Sequence, residues 1–318
     1  MSCTTETSIS QNGIFTLKEL IGVDEYNIDA NFVYYSDKPQ NKQQLIERCQ
    51  GCKAIVLAQI PIDREVIENC PNLKYICIAF TGYDHVDVQY CKEKGIIVSN
   101  CSGYSTEAVS ELVMALTISL LRNIKENDIA VRNGFDKTGL VGSLLEGKTF
   151  GIVGLGAIGQ RVAQLANCFG CRVIGYSRTK KQLENVEFVD SLEELLKRSD
   201  IVSLHVPANA ATKSMIGKKQ LEMMKKSAVL INCARGSVVD NIALTNALNE
   251  GIIKAAAVDV FDYEPPLKKD YCLLSARNCL LTSHVGFASE QSFEKRAHIV
   301  AQNIQSYFLG NTKNVINN

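Results

Sequence analysis

The feature that most constrains the fold is a glycine-rich run, GLGAIG at residues 154–159, directly after the apolar segment Phe150–Val153. A strand before this G-x-G-x-x-G spacing and a helical pattern after it predict a strand–turn–helix unit of βαβ type. In such a unit Gly154 permits the tight turn, Gly156 lets the backbone approach a ligand, and Gly159 lets helix and strand pack closely. The sequence therefore predicts a parallel α/β architecture around this run.

The start of the predicted helix, at Ala157 and Ile158, offers free backbone N–H groups at the positive end of the helix dipole. These groups stabilise phosphate charge, so we interpret the run as a dinucleotide-binding site and keep a purely structural turn as the alternative.

The segment after the second strand of this unit predicts which dinucleotide binds. An acidic residue there would bind the ribose 2′-hydroxyl of NAD, but residues 177–181 read SRTKK. Arg178 can hold a 2′-phosphate through two parallel hydrogen bonds, with Ser177 and Thr179 as hydroxyl donors. The segment therefore favours NADP(H), with NAD(H) as the alternative cofactor and a solvated basic loop as the structural explanation.

Short β-rich runs alternate with helical patterns from about residue 30 onward, which predicts βαβ units on parallel sheets. The strand candidates are Phe32–Tyr35, Ala54–Ala58, Tyr75–Ala79, Ile96–Val98, Thr149–Val153, Arg172–Tyr176, Ile201–His205, Val229–Asn232, Ala255–Val260 and Leu280–Thr282. A long helix opens at Ser105, and the last helix covers Glu290–Leu309. Because the six middle strands complete a dinucleotide domain, we expect the last helix to return to the first domain. A length of 318 residues fits two domains at roughly 150 residues each.

Charge and hydropathy exclude two classes of partner. Lys and Arg total 34 and Asp and Glu total 34, a balance that argues against a nucleic-acid-binding protein. The longest apolar run, Leu112–Leu121, is too short to span a bilayer, and the first residues carry no secretory signal pattern. We therefore expect no membrane partner and a cytoplasmic location.

The 12 cysteines include two pairs with C-x-x-C spacing, Cys49 with Cys52 and Cys168 with Cys171. A structural zinc site usually brings two such pairs close in sequence, and these pairs lie far apart. We therefore expect these thiols to pack as small apolar groups, and we predict no metal site.

Several ordered motifs resemble the D-isomer-specific 2-hydroxyacid dehydrogenases, over residues 50 to 310. The matching stretches are Thr81–Asp87, Gly103–Val109, Asn232–Gly236, Val258–Pro265 and Ser283–Gly286. The resemblance implies an α/β fold of two doubly wound parallel-sheet domains, with a Rossmann dinucleotide-binding domain inserted into a discontinuous flavodoxin-like substrate domain. We place the substrate domain at residues 1–102 and 285–318 and the dinucleotide domain at residues 103–284.

The resemblance also implies that Arg235, Glu264 and His284 form the active site. The chemistry supports this set, because reduction of a 2-keto acid needs a cation for the carboxylate and a proton donor for the carbonyl oxygen. Arg235 would bind the carboxylate, His284 would donate the proton, and Glu264 would hydrogen-bond the other ring nitrogen and favour the imidazolium. Taken singly, each residue also has a structural explanation, as a surface arginine, the start of a turn and a buried histidine.

Further positions match family contacts. The resemblance implies that backbone N–H groups of Thr81 and Gly82 hold the substrate carboxylate, together with Arg235. Cofactor contacts are implied for His205, Val206, Pro207, Thr212, Cys233, Ala234 and Asp259, the last near the nicotinamide amide. We interpret two other histidines, His85 and His298, as structural.

The predicted activity is reversible hydride transfer between NAD(P)H and a small 2-keto acid, giving the D-2-hydroxy acid, with glyoxylate and hydroxypyruvate as preferred substrates. Oxidation of 3-phosphoglycerate or D-lactate is the alternative within the family. A dinucleotide-sensing scaffold similar to the related corepressors is the alternative of another class, and the complete Arg–Glu–His set argues against it. The resemblance further implies a homodimer.

Overall fold

The computed structural model describes residues 2–6, 31–35, 37–179 and 183–317. The chain divides into two compact units, unit 1 with Met1–Ser105 and Ser289–Asn318, and unit 2 with Thr106–Ala288. The domain boundaries predicted from the sequence lie after residue 102 and after residue 284. Unit 1 is therefore built from two separate stretches of the chain.

Strands and helices alternate along the chain, and every strand predicted from the sequence is present to within two residues at each end. The strands are β1 (Ser2–Glu6), β2 (Asn31–Tyr35), β3 (Ala54–Leu57), β4 (Tyr75–Ile78), β5 (Ile97–Ser99), β6 (Thr149–Val153), β7 (Arg172–Tyr176), β8 (Val186–Phe188), β9 (Ile201–Leu204), β10 (Val229–Asn232), β11 (Ala255–Val258) and β12 (Cys279–Leu281). The helices are α1 (Lys42–Cys49), α2 (Arg64–Glu68), α3 (Val88–Glu93), α4 (Thr106–Arg122), α5 (Ile124–Arg132), α6 (Ala157–Cys168), α7 (Leu192–Arg198), α8 (Lys218–Met223), α9 (Asn241–Asn249) and α10 (Glu290–Phe308). Neither β1 nor β8 was predicted from the sequence.

Unit 1 contains a parallel sheet in the order β2-β1-β3-β4-β5, which is the flavodoxin-like order. Strands β3 and β4 are buried along their whole length, as expected for runs of aliphatic residues covered on both faces. Helix α10 packs on this unit, where Tyr307 stacks on Tyr75 with ring centroids 4.2 Å apart. Asn303 adds a hydrogen bond from Nδ2 to the Asn100 carbonyl at 2.9 Å.

Unit 2 contains a parallel sheet in the order β12-β11-β10-β9-β6-β7-β8, with the order of connection reversing between β6 and β9. Apolar side chains fill both faces of this sheet, as a doubly wound fold requires. One face packs against α7, α8 and α9 through Leu195, Leu221 and Leu244, and the other packs against α4 and α6 through Val113 and Val162. This topology places the β6–α6 turn at the switch point, where open α/β sheets bind ligands.

The α/β fold with two parallel sheets is confirmed. One packing expectation is wrong, because Cys168 is exposed at the end of α6, whereas Cys49, Cys52 and Cys171 are buried. Cys168 falls on the solvent side of an amphipathic helix, which the C-x-x-C spacing alone does not reveal. Within the described residues no helix combines the length and the apolar character needed to cross a membrane.

Candidate active site

The turn between β6 and α6 has the geometry that its glycines predict. Gly154 has a positive φ of 97°, and a Cβ there would press against the His205 carbonyl. A Cβ on Gly159 would overlap the Gly154 carbonyl oxygen, so this residue allows α6 to approach the turn. At Gly156 a Cβ would meet no atom within 4 Å, and no side chain caps the helix that starts there.

The first turn of α6 therefore offers its N–H groups, including those of Ala157 and Ile158, beside open space. A helix N-terminus with free N–H groups and no side chain in front of it fits a pyrophosphate. The residues present thus match the dinucleotide predicted from sequence.

The segment predicted to bind the ribose, residues 177–181, begins directly after β7, which ends at Tyr176. Ser177 is half-buried and its hydroxyl donates to the Thr179 carbonyl at 2.7 Å, while Arg178 and Thr179 are exposed. Lys180 and Lys181 lie outside the described residues. Among the described positions Arg178 is the cation available to a 2′-phosphate, and the Ser177 hydroxyl proton is held by the loop itself.

The segment after β9 borders the glycine turn, since a Cβ on Gly154 would also contact the Val206 side chain. Here Ser203 Oγ and His205 Nε2 lie 2.8 Å apart, and burial lowers the pKa of His205 to about 4. His205 is therefore neutral at physiological pH. The loop that follows Pro207 folds back on itself, because the Thr212 hydroxyl donates a hydrogen bond to the Pro207 carbonyl at 2.6 Å.

Arg235 lies just after β10, and its turn is held by the buried Asn232. The Asn232 side chain accepts a hydrogen bond from Ala234 N–H at 3.1 Å and donates to the Arg235 carbonyl at 3.0 Å. The Arg235 Nη1 atom donates to the Ala234 carbonyl at 2.7 Å. Cys233, at the same strand end, has its thiol pKa raised by burial, so it remains a neutral thiol.

His284 and Glu264 form the pair that the sequence predicts. His284 Nδ1 lies 2.8 Å from Glu264 Oε1 and 2.9 Å from Oε2, so the carboxylate fixes the ring and leaves Nε2 for another partner. The His284 side chain is 19% exposed, and the Phe287 ring packs edge-on against it with centroids 5.7 Å apart. The arrangement suits a proton donor at Nε2.

Asp259 fixes the loop that carries His284. It is 1% exposed, and its carboxylate accepts hydrogen bonds from the Thr282 hydroxyl at 2.6 Å, Val285 N–H at 2.9 Å and Gly286 N–H at 2.8 Å. These bonds flank His284 on both sides, and His284 itself has a positive φ of 56°. The contact between Asp259 and the nicotinamide amide, which the family resemblance implies, stays a prediction.

The loop after β4 in unit 1 carries Thr81 and Gly82. The Asn100 side chain donates to the Thr81 carbonyl at 2.7 Å, and the Thr81 hydroxyl donates to the Cys101 carbonyl at 3.3 Å. Within the described residues neither the Thr81 nor the Gly82 N–H group donates a hydrogen bond to the protein. Both groups are therefore available to an anionic ligand.

Two contributions to the site were missed by sequence reasoning. Gly236 follows Arg235, and a Cβ there would overlap the backbone of Phe261, on the loop that leads to Glu264. Asn232, inside β10, holds the Arg235 turn. The motif Asn232–Gly236 contained both residues, but only tertiary contacts reveal their roles.

The other predicted residues have simple positions. His85 is half-buried in the loop before α3, and His298 is exposed on α10. Across the part of the chain that the structure describes, no group of three His, Cys, Asp or Glu side chains is placed to hold a metal ion.

Residues 114–286 match the family model described as D-isomer specific 2-hydroxyacid dehydrogenase, NAD binding domain. The chain is 40% identical over 283 residues to a D-3-phosphoglycerate dehydrogenase of Methanocaldococcus jannaschii, covering 87% of this chain but only 54% of that protein. It is 38% identical over 315 residues to a glyoxylate reductase of Thermococcus litoralis, covering 95% of this chain and 92% of that protein. Among solved structures, an acyclic imino acid reductase in complex with NADPH and D-Arg superimposes with a TM-score of 0.90 at 34% identity, covering 99% of this chain and 100% of that one.

Proposed function

The chain belongs to the D-isomer-specific 2-hydroxyacid dehydrogenase family, and from this membership we propose that it reduces small 2-keto acids to D-2-hydroxy acids. The observation that carries the proposal is the His284–Glu264 pair, with Nδ1 bound to both carboxylate oxygens and Nε2 left for a substrate. We expect glyoxylate and hydroxypyruvate as preferred substrates, in line with the similarity to a glyoxylate reductase.

Each site residue has a role in this proposal. Arg235 binds the substrate carboxylate with its planar guanidinium, and the Thr81 and Gly82 N–H groups are proposed as further donors to it. When bound, NADPH or NADH would supply the hydride for reduction of the keto carbon. His284 donates its Nε2 proton to the carbonyl oxygen as the alcohol forms, and it regains a proton from water afterwards. Glu264 holds the ring and stabilises the imidazolium that precedes the transfer.

The cofactor preference is proposed to be NADPH. No carboxylate follows β7 to repel a 2′-phosphate, and the exposed Arg178 can bind one. The matched family domain is described as NAD binding, whereas the similar imino acid reductase structure holds NADPH, so both cofactors occur among similar proteins.

The decisive experiment is a table of kcat/KM values for glyoxylate, hydroxypyruvate, pyruvate and 3-phosphohydroxypyruvate, each with NADPH and NADH. We expect the highest value for one of the first two with NADPH. A clear preference for NADH would overturn the assignment of Arg178, and dominance of 3-phosphohydroxypyruvate would move the substrate to the phosphoglycerate alternative. Tight cofactor binding without turnover of any substrate would favour a dinucleotide-sensing scaffold.

A second candidate reaction is reduction of the imine that forms from a 2-keto acid and an amine. The similarity to an acyclic imino acid reductase favours it, and Arg235 would bind the carboxylate in the same way. Repeating the assay with added ammonium or methylamine separates the two reactions, because only imine reduction yields an amino acid.

We also propose a homodimer formed through unit 2. Within the described residues α5 has no buried side chain, and the segment after it exposes Phe135 by 71% and Val141 by 84%. Large apolar side chains exposed in this way are candidates for contacts between proteins. The cytoplasmic location expected from the sequence stays a prediction.

A further inference from the structure

Unit 1 contains a buried arginine that the proposed reaction does not yet use. Arg296, on the inner face of α10, is only 1% exposed. Its guanidinium carbon lies 4.9 Å from the ring centroid of Phe80, 4.9 Å from that of Phe293 and 5.8 Å from that of Tyr104. The cation is therefore held within an aromatic cage (Phe80, Phe293 and Tyr104).

The charge of Arg296 has no carboxylate partner within the described residues. Its Nη1 atom is buried and has no hydrogen-bond partner there, although the guanidinium does form a hydrogen bond with the Tyr104 side chain. Contact with aromatic faces offsets part of the free energy cost of burying a cation, but a buried charge is normally paired with an opposite charge. Burial lowers the pKa of Arg296, yet a guanidinium keeps its charge at neutral pH. Among the residues that the structure describes, no carboxylate therefore neutralises the positive charge in the cage.

The cage is joined to the loop that carries Thr81 and Gly82. Phe80 is the residue before Thr81, and its carbonyl accepts a hydrogen bond from Cys101 N–H at 3.0 Å. The same helix supports this loop a second time, because Asn303 donates to the Asn100 carbonyl while the Asn100 side chain donates to the Thr81 carbonyl. Helix α10 thus places a buried cation against the ring of Phe80, the residue before two N–H groups that donate to no described residue.

We propose that Arg296 is the buried counter-charge for the carboxylate of the substrate, a positioning residue that strengthens anion binding at the Thr81–Gly82 loop. It acts through the loop and through its field, without contact with the reacting atoms. In a desolvated setting such a charge attracts an anion over several ångströms far more strongly than in water. The inference rests on the proposed function, because it takes a 2-keto acid as the anion.

The exposed neighbour Lys295 supplies a matched control, since it carries the same charge on the same helix but lies in solvent. The probe is oxamate, an unreactive amide with the carboxylate and carbonyl of a 2-keto acid. Its Kd is measured by calorimetry with NADPH present, on the full-length wild type and on Arg296→Met, Arg296→Lys and Lys295→Met. The NADPH Kd and the Tm are measured for each variant.

We expect Arg296→Met to weaken oxamate binding about tenfold or more, with the NADPH Kd unchanged. The Tm should stay level or rise, because an apolar side chain of similar length removes an unpaired buried charge. Arg296→Lys should retain part of the affinity, and Lys295→Met should match the wild type. If Arg296 only stabilised the fold, Arg296→Met would lower the Tm.

Three results would overturn the proposal: unchanged oxamate affinity in Arg296→Met, equal losses in the Met and Lys variants with a lower Tm, or a wild type that does not bind oxamate. Failure of the proposed function has a different signature. A wild type that binds oxamate but turns over no 2-keto acid removes the reaction, while the variant Kd values still decide the role of Arg296.

Discussion

At the scale of single residues, His284 occupies a backbone conformation that few residues adopt. Its φ of 56° lies in the left-handed region, which costs energy for a residue with a Cβ. The N–H groups of the two residues that follow, Val285 and Gly286, donate hydrogen bonds to the Asp259 carboxylate and hold this conformation. A histidine at such a position is consistent with a functional role, because the strain is offset by contacts built around it.

Replacing this histidine tests that role. We expect His284→Gln to lower kcat about 10²–10⁴-fold, because glutamine keeps a hydrogen-bonding group but cannot donate an imidazolium proton. The NADPH Kd should not change. His298→Gln, on the exposed face of α10, is the matched control and should retain full activity. Comparable kcat values in the wild type and His284→Gln would exclude His284 as the proton donor.

A second prediction concerns His205 and acid stability. Burial lowers its pKa to about 4 in the folded protein, against ~6.5 in the unfolded chain. Below pH 6.5 the unfolded state therefore binds a proton that the folded state does not, so stability falls as the pH drops towards 4. Wild type should lose about 3 kcal/mol more unfolding free energy than His205→Gln between pH 7 and pH 4. Urea unfolding at both pH values measures this difference, and parallel losses would contradict it.

At the scale of elements, the parallel register aligns the strand ends that carry the site. Asn232 pairs with Val258, and Val258 pairs with Leu281, so β10, β11 and β12 end at one edge of the sheet. The loops after these strands carry Arg235, Glu264 and His284. Gly236 allows two of the loops to meet, because any larger residue would overlap the Phe261 backbone.

Gly236→Ala is therefore expected to destabilise the protein by about 1–3 kcal/mol and to lower kcat/KM, since the Arg235 and Glu264 loops must move apart. Gly51→Ala is the control, because its Cβ would meet no atom within 4 Å and its φ is not positive. Thermal unfolding and steady-state kinetics of both variants provide the comparison. An unchanged Tm for Gly236→Ala would show that the two loops do not depend on this close approach.

Strands with apolar runs could be predicted almost to the residue, as β6, β7 and β10 demonstrate, because burial on both faces leaves a continuous pattern. Strand β1 is polar in Thr4 and Thr5, and β8 is a three-residue edge strand, so neither has such a signal. Motif order was sufficient to place Arg235, Glu264 and His284 after strands of one sheet, and their roles stay predictions. The hydrogen bonds of Asp259 were not, because they join residues far apart in sequence.

At the scale of the whole molecule, the exposed apolar side chains of Phe135 and Val141, which follow α5 in the chain, predict association. Light scattering should give the mass of a dimer for the wild type and of a monomer for the double variant Phe135→Asp with Val141→Asp, because charged side chains oppose burial of the contact. Ile242→Asp, at a residue exposed by 68% elsewhere on unit 2, should leave the dimer intact. A wild type that is monomeric at every concentration would refute the dimer.

The divided sequence of unit 1 has a consequence for synthesis. On the ribosome, all of unit 2 emerges before α10, so unit 2 can fold while unit 1 still lacks the helix that carries Arg296 and Tyr307. Until α10 has been translated, Tyr75 on β4 lacks Tyr307, the aromatic ring on which it stacks in the folded protein. A nascent chain therefore acquires its nucleotide-binding unit first, and unit 1 is completed only after α10 has been translated.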